Sequence, residues 1–179
     1  MGAAGHAGWT RILGIDPGSR VTGWGVVDAG GATVRYVASG CIRTEGEDLP
    51  ARLREIFAGV GAIVAAHQPV ELAVERVFVH RNADSALKLG QARAAAICAS
   101  FDRQLTVHEY AARAVKLAVV GQGGAEKPQV AHMVRALLQP PAPLAADEAD
   151  ALAVALCHAH TRPLGARLVG MGRLRVVRR

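Results

Sequence analysis

The sequence predicts an α/β domain in which a mixed sheet is flanked by helices. Three β-rich runs follow one another closely near the start of the chain, and two later runs are set apart by segments with helical periodicity. Strands joined by tight turns pair antiparallel, whereas a helical crossover joins parallel strands. We therefore expect three antiparallel strands followed by two parallel ones, in a single domain.

The first three strands organise the chain. Arg11–Ile15 is a short apolar run that leads directly to an acid, Asp16, after which Pro17–Gly18–Ser19 turns the chain back. Val21–Val27 is the returning strand, and Thr33–Ile42 alternates like a third strand. Asp16 is thus predicted at the end of a buried strand, where a carboxylate is costly unless something pairs with it.

The later elements are identified by their spacing and their caps. A helix is predicted after Asp48, a plausible N-cap, and it ends before Pro69. The elements that follow are a strand over Val70–Val79, a helix over Asn82–Ser100, a strand over Leu105–Glu109, and helices over Ala111–Val120, from Pro128, and over Ala146–His160. In the second helix, the residues expected to be buried are Ala86, Leu87, Leu89, Ala94, Ile97 and Cys98.

Composition limits the class of protein and its partners. With 179 residues, 51% of them hydrophobic, the chain fits one domain with a substantial core. A net charge of +6 favours an acidic partner such as nucleic acid, although six arginines within 162–179 account for that excess. We divide the chain into a flexible N-terminal extension (1–10), an α/β domain (11–161) and a basic C-terminal tail (162–179).

Cysteine and histidine usage predicts no further site. Three widely spaced cysteines without a C-x-x-C pair argue against disulfides and against a zinc site. We assign no ligand role to the histidines, because a histidine on an amphipathic helix is more often packed or solvated; they include His108, His132, His158 and His160. No apolar run approaches the ~18 residues of a membrane span, and no signal peptide is recognisable. We expect a cytoplasmic protein that does not enter a membrane.

Four acids lie where ionised carboxylates are costly. They are Asp16 at the end of the first strand, Glu75 inside the fourth strand, and Asp147 and Asp150 on the last helix. The helical pair is three residues apart, so both side chains emerge on one face. Local roles account for some of these acids, since a turn Asp caps its own loop and first-turn acids suit the helix dipole. Those roles explain Asp150 less well and leave Glu75 unexplained.

A bound divalent metal explains all four acids together. If neighbouring strands bring Asp16 and Glu75 under the helical pair, the converging carboxylates repel one another. Divalent cations relieve that repulsion, and ligand sets made only of oxygen favour Mg²⁺ or Mn²⁺ over zinc. Two such ions about 4 Å apart promote in-line attack on phosphodiesters. The acids therefore indicate a nuclease with two Mg²⁺ ions per site, for which Mn²⁺ substitutes.

Five segments resemble the RuvC family of bacterial Holliday junction resolvases. They are GIDPGSRVTGWGVVD, CIRTEGEDLPARLREIF, ERVFVHRNADSALKLGQAR, EYAARAVKLAVVGQGGAEKPQV and AADEADALAVAL, in one uninterrupted order between Arg11 and His160. That family belongs to the RNase H-like nucleases. The resemblance therefore implies an RNase H-like sheet and a homodimer that acts on four-way DNA junctions.

The resemblance also assigns individual residues. The family's metal ligands match the four acids already identified, Asp16, Glu75, Asp147 and Asp150. Its DNA-contacting lysines match Lys116 and Lys127, its base-stacking aromatic matches Phe78, and Arg81 close by is a further candidate DNA contact. Taken singly, each has an ordinary interpretation as a core phenylalanine or a solvated basic residue.

The predicted activity is resolution of Holliday junctions by symmetric hydrolysis of two opposed strands, which leaves 5′-phosphate and 3′-hydroxyl ends. The resemblance further implies cooperation with the RuvA–RuvB branch-migration complex. Two alternatives remain open: an RNase H-like nuclease acting on RNA or an RNA–DNA hybrid, and a catalytically silent junction-binding dimer. Glu148, beside the helical pair, is either a supporting group or a competing ligand.

Overall fold

A computed structural model of the chain describes residues 8–76 and 83–171, with side chains described as far as residue 162. Five strands form one sheet in the order β3-β2-β1-β4-β5. The strands are β1 (Thr10–Asp16), β2 (Val21–Gly30), β3 (Thr33–Arg43), β4 (Glu71–Glu75) and β5 (Thr106–Tyr110). The first three strands pair antiparallel, and β4 and β5 add parallel to β1. The predicted mixed α/β sheet is confirmed.

The helices cover both faces of this sheet. They are α1 (Leu49–His67), α2 (Ala83–Cys98), α3 (Ala112–Val120), α4 (Lys127–Leu138) and α5 (Ala146–Met171). Asp48 caps α1, as predicted, by accepting a hydrogen bond from the Ala51 backbone N–H. One core lies between the sheet and α1 with α2, and a second lies between the sheet and α3, α4 and α5. The molecule is therefore a three-layer α/β/α arrangement.

The register places two of the four acids at one edge of the sheet. Within β1, Ile12 faces the core on the α5 side, and the strand alternation puts Asp16 on that same face. Ile15 pairs with Val74 in the parallel ladder, so Asp16 and Glu75, one residue further on, end neighbouring strands side by side. Ala73 lies in the α5-side core, and Glu75 shares its face.

Glycines let α5 approach this edge closely. A Cβ atom built on Gly14 would lie 2.2 Å from the carbonyl oxygen of Ala151. One built on Gly23 would lie 2.0 Å from the carbonyl oxygen of Asp147. Both distances are shorter than any real Cβ contact, so only glycine fits at these positions. The close approach brings the first turns of α5 over the ends of the strands.

Several predicted boundaries differ from the structure. β4 ends at Glu75, so this acid terminates its strand instead of interrupting it. Residues 77–82, which include the predicted cap Asn82, lie outside the described residues. The final helix does not end at His160 but continues to Met171. Arg162, assigned to the tail, forms an ion pair with Glu71 at 2.6 Å, and this contact fixes the helix to the sheet beyond the predicted end.

The predicted buried face of α2 is wrong. Its buried residues are Ala92 and Ala96, whereas Leu87 is 68% exposed and Cys98 is also exposed. Ala94 is exposed as well, and Ala86, Leu89 and Ile97 are only partly buried. Apolar residues surround most of this helix, so its sequence does not single out one stripe, and the small alanines are the ones that fit against the sheet and α1.

Among the described residues, no helix combines the length and apolar character that a bilayer span requires.

Candidate active site

The structure brings the four predicted acids to one edge of the sheet. Asp16 and Glu75 end two neighbouring parallel strands, and Asp147 and Asp150 lie in the first turns of α5 above them. Burial raises the pKa of Asp16 to about 7, with further contributions from the charges of Asp150, Glu75 and Asp147. Each of the other three acids therefore lies close enough to disfavour ionisation of Asp16.

Glu75 experiences the same environment. Burial raises its pKa first, and the charge of Asp150 adds to that effect. The positive charges of Lys127 and Lys116 act in the opposite direction. A cluster in which neighbouring carboxylates disfavour the ionisation of Asp16 and Glu75 is electrostatically suited to a cation, and its donors are all oxygens.

Lys116 and Lys127 both lie close enough to act electrostatically on Glu75, and Lys127 also contacts an acid directly. The Nζ atom of Lys127, at the start of α4, is 2.6 Å from an Oδ atom of Asp150. The Lys127 side chain is 78% exposed, whereas that of Asp150 is only 20% exposed. The hydrogen bond to Asp150 raises the pKa of Lys127, and Asp16 and Asp147 contribute to that rise. Lys127 is therefore a charged group that borders the acids and faces solvent.

Glu148 lies between the helical pair in sequence but is directed elsewhere. The Ser39 hydroxyl on β3 donates a hydrogen bond of 3.1 Å to an Oε atom of Glu148. Ser39 is in turn 3.1 Å from the Tyr36 hydroxyl. This contact ties the start of α5 to β3, on the side of the sheet away from β4. The geometry therefore supports a positioning role for Glu148 over a competing ligand.

Arg93 is a residue of the site that the sequence did not reveal. Its Nε–H donates a hydrogen bond of 3.1 Å to the backbone carbonyl of Glu75, and its guanidinium forms an ion pair with Glu109. Burial lowers the pKa of Arg93, and the nearby charge of Arg76 lowers it further. The arginine holds α2 against the ends of β4 and β5. The sequence carries no local signal of this role, because both partners of Arg93 lie on other elements of the fold.

Phe78 and Arg81 lie outside the described residues. Their assignment as DNA contacts stays a prediction. Glu75, three residues before Phe78 in the chain, ends β4 at the edge of the sheet where the acids lie.

The raised pKa of Asp16 predicts how the stability of the metal-free protein depends on pH. An Asp carboxyl has an ordinary pKa of 3.8, whereas Asp16 in the folded protein titrates near 7, so between these values only the folded state holds the proton. The contribution of Asp16 to the free energy of unfolding is therefore expected to fall as the pH rises from about 4 to 7. Asp16→Asn should raise the Tm of the metal-free protein above pH 7 and change it much less near pH 4. Calorimetry in EDTA, with Glu148→Gln as the matched control, checks this, and an unchanged or lower Tm above pH 7 would contradict it.

The sheet order and the flanking helices define an RNase H-like α/β domain, with clustered acids at the edge where β1 and β4 end. The family model described as "Crossover junction endodeoxyribonuclease RuvC" matches residues 12–158. The chain belongs to the RuvC family.

Individual relatives agree with this assignment. The chain is 61% identical to the crossover junction endodeoxyribonuclease RuvC of Methylococcus capsulatus over 92% of this chain and 99% of the relative. It is 57% identical to the Vibrio vulnificus protein of the same name, over 89% of this chain and 92% of the relative. Among solved structures, Thermus thermophilus RuvC in complex with a Holliday junction substrate matches with a TM-score of 0.81 and 35% identity, covering 87% of this chain and 96% of that one.

Proposed function

We propose that this chain is a crossover junction endodeoxyribonuclease that hydrolyses phosphodiesters at four-way DNA junctions. The observation that carries the proposal is the meeting of Asp16, Glu75, Asp147 and Asp150 at one sheet edge, bordered by Lys127, in a chain of this family. The Thermus thermophilus relative was solved with a Holliday junction substrate, which supports junction DNA as the partner.

The four acids are the proposed ligands of two Mg²⁺ ions, with Mn²⁺ as a substitute. The donor set fits these ions, since it consists of carboxylate oxygens whose mutual repulsion a cation would relieve. When bound, such ions activate a water and stabilise the departing 3′-oxygen. The protein contributes fixed ligand positions: Asp16 and Glu75 are held by the sheet, and the helical pair by the close packing of α5 on Gly23.

Lys127 and Lys116 are proposed to contact the DNA backbone. In the metal-free protein Lys127 neutralises Asp150, with its Nζ atom 2.6 Å from the carboxylate. If Asp150 instead holds a divalent cation, the ammonium of Lys127, which is exposed, would be available for a phosphate. Lys127 would then exchange one anionic partner for another as substrate binds.

A homodimer matches the twofold symmetry of a four-way junction, because each protomer then cuts one of two opposed strands. Its products would carry 5′-phosphate and 3′-hydroxyl ends, which a ligase can seal. We infer that this dimer works with the RuvA–RuvB branch-migration complex. The three cysteines are free, in keeping with a cytoplasmic enzyme.

The exposed face of α2 is the proposed dimer contact. Leu87, Gln91, Ala94 and Cys98 are exposed at helical spacing along one stripe. Phe101, three residues after the end of the helix, is also 57% exposed. Leu87, Ala94 and Cys98 make most of this stripe apolar, and an exposed apolar stripe favours burial against a partner surface.

Leu87→Glu is expected to dissociate the dimer. The substitution places a charge within the proposed contact, where desolvation of an unpaired carboxylate disfavours association. Sedimentation velocity of the purified chain would show a monomer, with cleavage of the junction reduced in parallel. Leu137→Glu on α4, where the leucine is 44% exposed, is the matched control and should remain dimeric. Equal dissociation of both variants, or of neither, would contradict the assignment of this face.

The experiment that tests the function compares three substrates. A synthetic four-way DNA junction, a linear duplex of matched sequence and an RNA–DNA hybrid are each incubated with Mg²⁺, Mn²⁺ or EDTA. Paired nicks confined to the junction, present with either metal and absent in EDTA, are the expected result. Cleavage of the hybrid with an intact junction would instead favour the RNA-directed nuclease. Tight junction binding without cleavage would favour the silent binder.

A further inference from the structure

A second cluster of candidate ligands lies at the opposite end of the same strands. Glu71 begins β4, whereas Glu75 ends it, and four strand residues span about 13 Å. His108 on β5 pairs in register with Ala73, and His158 extends from α5 toward them. These residues belong to neither the acids nor the lysines of the proposed nuclease site.

The donor atoms of this cluster are close together. One ligand atom each from Glu71, His108 and His158 lies within 4.8 Å of the other two. The Nε2 atom of His158 is 2.7 Å from an Oε atom of Glu71, and the rings of His108 and His158 stack with centroids 4.2 Å apart. The His158 side chain is 2% exposed, so the protein holds it in place.

The cluster is open to solvent on one side. Glu71, His108 and His158 line a cavity of about 1020 Å³, together with Tyr110 and Arg162. The cavity gives an ion a path of entry and leaves room for a water as an additional ligand. A buried structural network of histidines would need neither.

We propose that Glu71, His108 and His158 form a binding site for a zinc-class transition metal ion, separate from the Mg²⁺ ligands of the nuclease. Two imidazole nitrogens and one carboxylate are ligands that suit Zn²⁺ better than Mg²⁺. Three protein ligands with an open fourth position toward the cavity are a common arrangement for Zn²⁺. Because the ligands come from β4, β5 and α5, the bound ion would join three elements of the fold.

The surroundings of His158 resemble those of a metal-bound histidine. Its second ring nitrogen, Nδ1, is 2.6 Å from the Tyr110 hydroxyl, which also accepts a hydrogen bond of 3.1 Å from Thr161. Histidine ligands are usually oriented by an oxygen partner on the nitrogen that does not bind the metal. Tyr110 supplies that partner, and it leaves Nε2 directed at Glu71.

In the metal-free protein, Arg162 pairs with the Glu71 carboxylate that the ion would bind. Its Nε atom is 2.6 Å from the Oε atom of Glu71 that also faces His158, and a terminal nitrogen is 3.1 Å from the other oxygen. The same guanidinium reaches the Thr10 hydroxyl at 2.9 Å. An ion bound by Glu71 would displace Arg162 from one carboxylate oxygen. Removal of the arginine is therefore expected to increase the affinity for the ion, whereas removal of a ligand is expected to lower it.

The test titrates Zn²⁺ alone into the full chain carrying Asp16→Asn and Glu75→Gln, so that two of the four nuclease acids no longer compete for the ion. Calorimetry is expected to show one Zn²⁺ per chain. Further substitution His108→Ala should lower the affinity more than about 100-fold, and Tyr110→Phe about tenfold, since loss of an orienting partner costs roughly 10- to 100-fold. Arg162→Met should increase the affinity. The visible absorption of Co²⁺ bound in place of Zn²⁺ depends on its ligands and should change with His108→Ala.

The matched control is His132→Ala, because His132 is an exposed histidine on α4. Its Zn²⁺ affinity should equal that of the parent, and circular dichroism should show that every variant is folded. An affinity that His108→Ala leaves unchanged, or that His132→Ala lowers equally, would overturn the proposal. Binding of no Zn²⁺ by the folded parent would also overturn it. Because the parent lacks two nuclease acids, none of these results depends on junction cleavage.

Discussion

Asp16→Asn is expected to abolish junction cleavage while leaving junction binding intact. The charges of all three other acids raise the pKa of Asp16, so Asp16 lies where the proposed metal ligands converge. Its amide replacement keeps the shape of the side chain but removes the negative charge that would hold the ions. We expect a fall of at least about 1,000-fold in the rate of cleavage, which corresponds to ~4 kcal/mol of transition-state stabilisation.

Single-turnover cleavage of a synthetic four-way junction with Mg²⁺ measures the loss, and gel mobility of the same junction measures binding. Glu148→Gln is the matched control, since it removes a nearby charge while the amide oxygen can still accept the hydrogen bond from Ser39 on β3. It should cut within a few-fold of the unmodified chain. If Asp16→Asn cleaved the junction at a rate comparable to the unmodified chain, Asp16 would not be a metal ligand. If both variants lost activity equally, the loss would be explained by the change in net charge alone.

Gly23→Ala is expected to weaken both the fold and the site. The added Cβ would lie 2.0 Å from the carbonyl oxygen and 2.5 Å from the carbonyl carbon of Asp147, and backbone atoms cannot move aside as a flexible side chain would. The start of α5 must then shift away from β2 and carry Asp147 with it. Overpacking of this kind typically costs about 1–3 kcal/mol of stability. A ligand displaced by ~1 Å can lower the rate about 100-fold.

Urea denaturation and junction cleavage measure the two effects. Gly61→Ala in the interior of α1 is the matched control, because a Cβ there would meet nothing within 4 Å. It should stabilise the protein by about 0.5–1 kcal/mol, the ordinary gain for alanine over glycine in a helix. A Gly23→Ala protein as stable and as active as the unmodified chain would show that α5 does not lie so close to β2.

The local elements of this fold follow from the sequence, because local patterns encode them. The β-rich run of β2, the alternation predicted for β3, the turn after Asp16 and the cap at Asp48 each depend on residues a few positions apart. The two classes of strand connection were enough to predict a mixed sheet. The same patterns selected Asp16, Glu75, Asp147 and Asp150 as acids at positions where ionised carboxylates are costly, and their role as metal ligands stays a prediction.

Tertiary packing decided which faces meet, and the sequence carries little information about that choice. In α2, apolar residues occur around most of the helix, and only contact with the sheet and α1 selected Ala92 and Ala96 for burial. The end of α5 was misplaced because its ion pair joins Arg162 to Glu71, a residue far away in the chain. Neither outcome has a signal within a window of neighbouring residues.

The sequence by itself determined the class of fold, the four acids and the family. Only the tertiary structure decided what surrounds them: Arg93 at the carbonyl of Glu75, Lys127 on Asp150, and the cluster of Glu71 with His108 and His158. The physical reason is that strand and helix periodicities repeat over a few residues, so a short segment already displays them. A contact between distant residues forms only when a whole layer packs, and its energy belongs to the assembled layers and not to either segment alone.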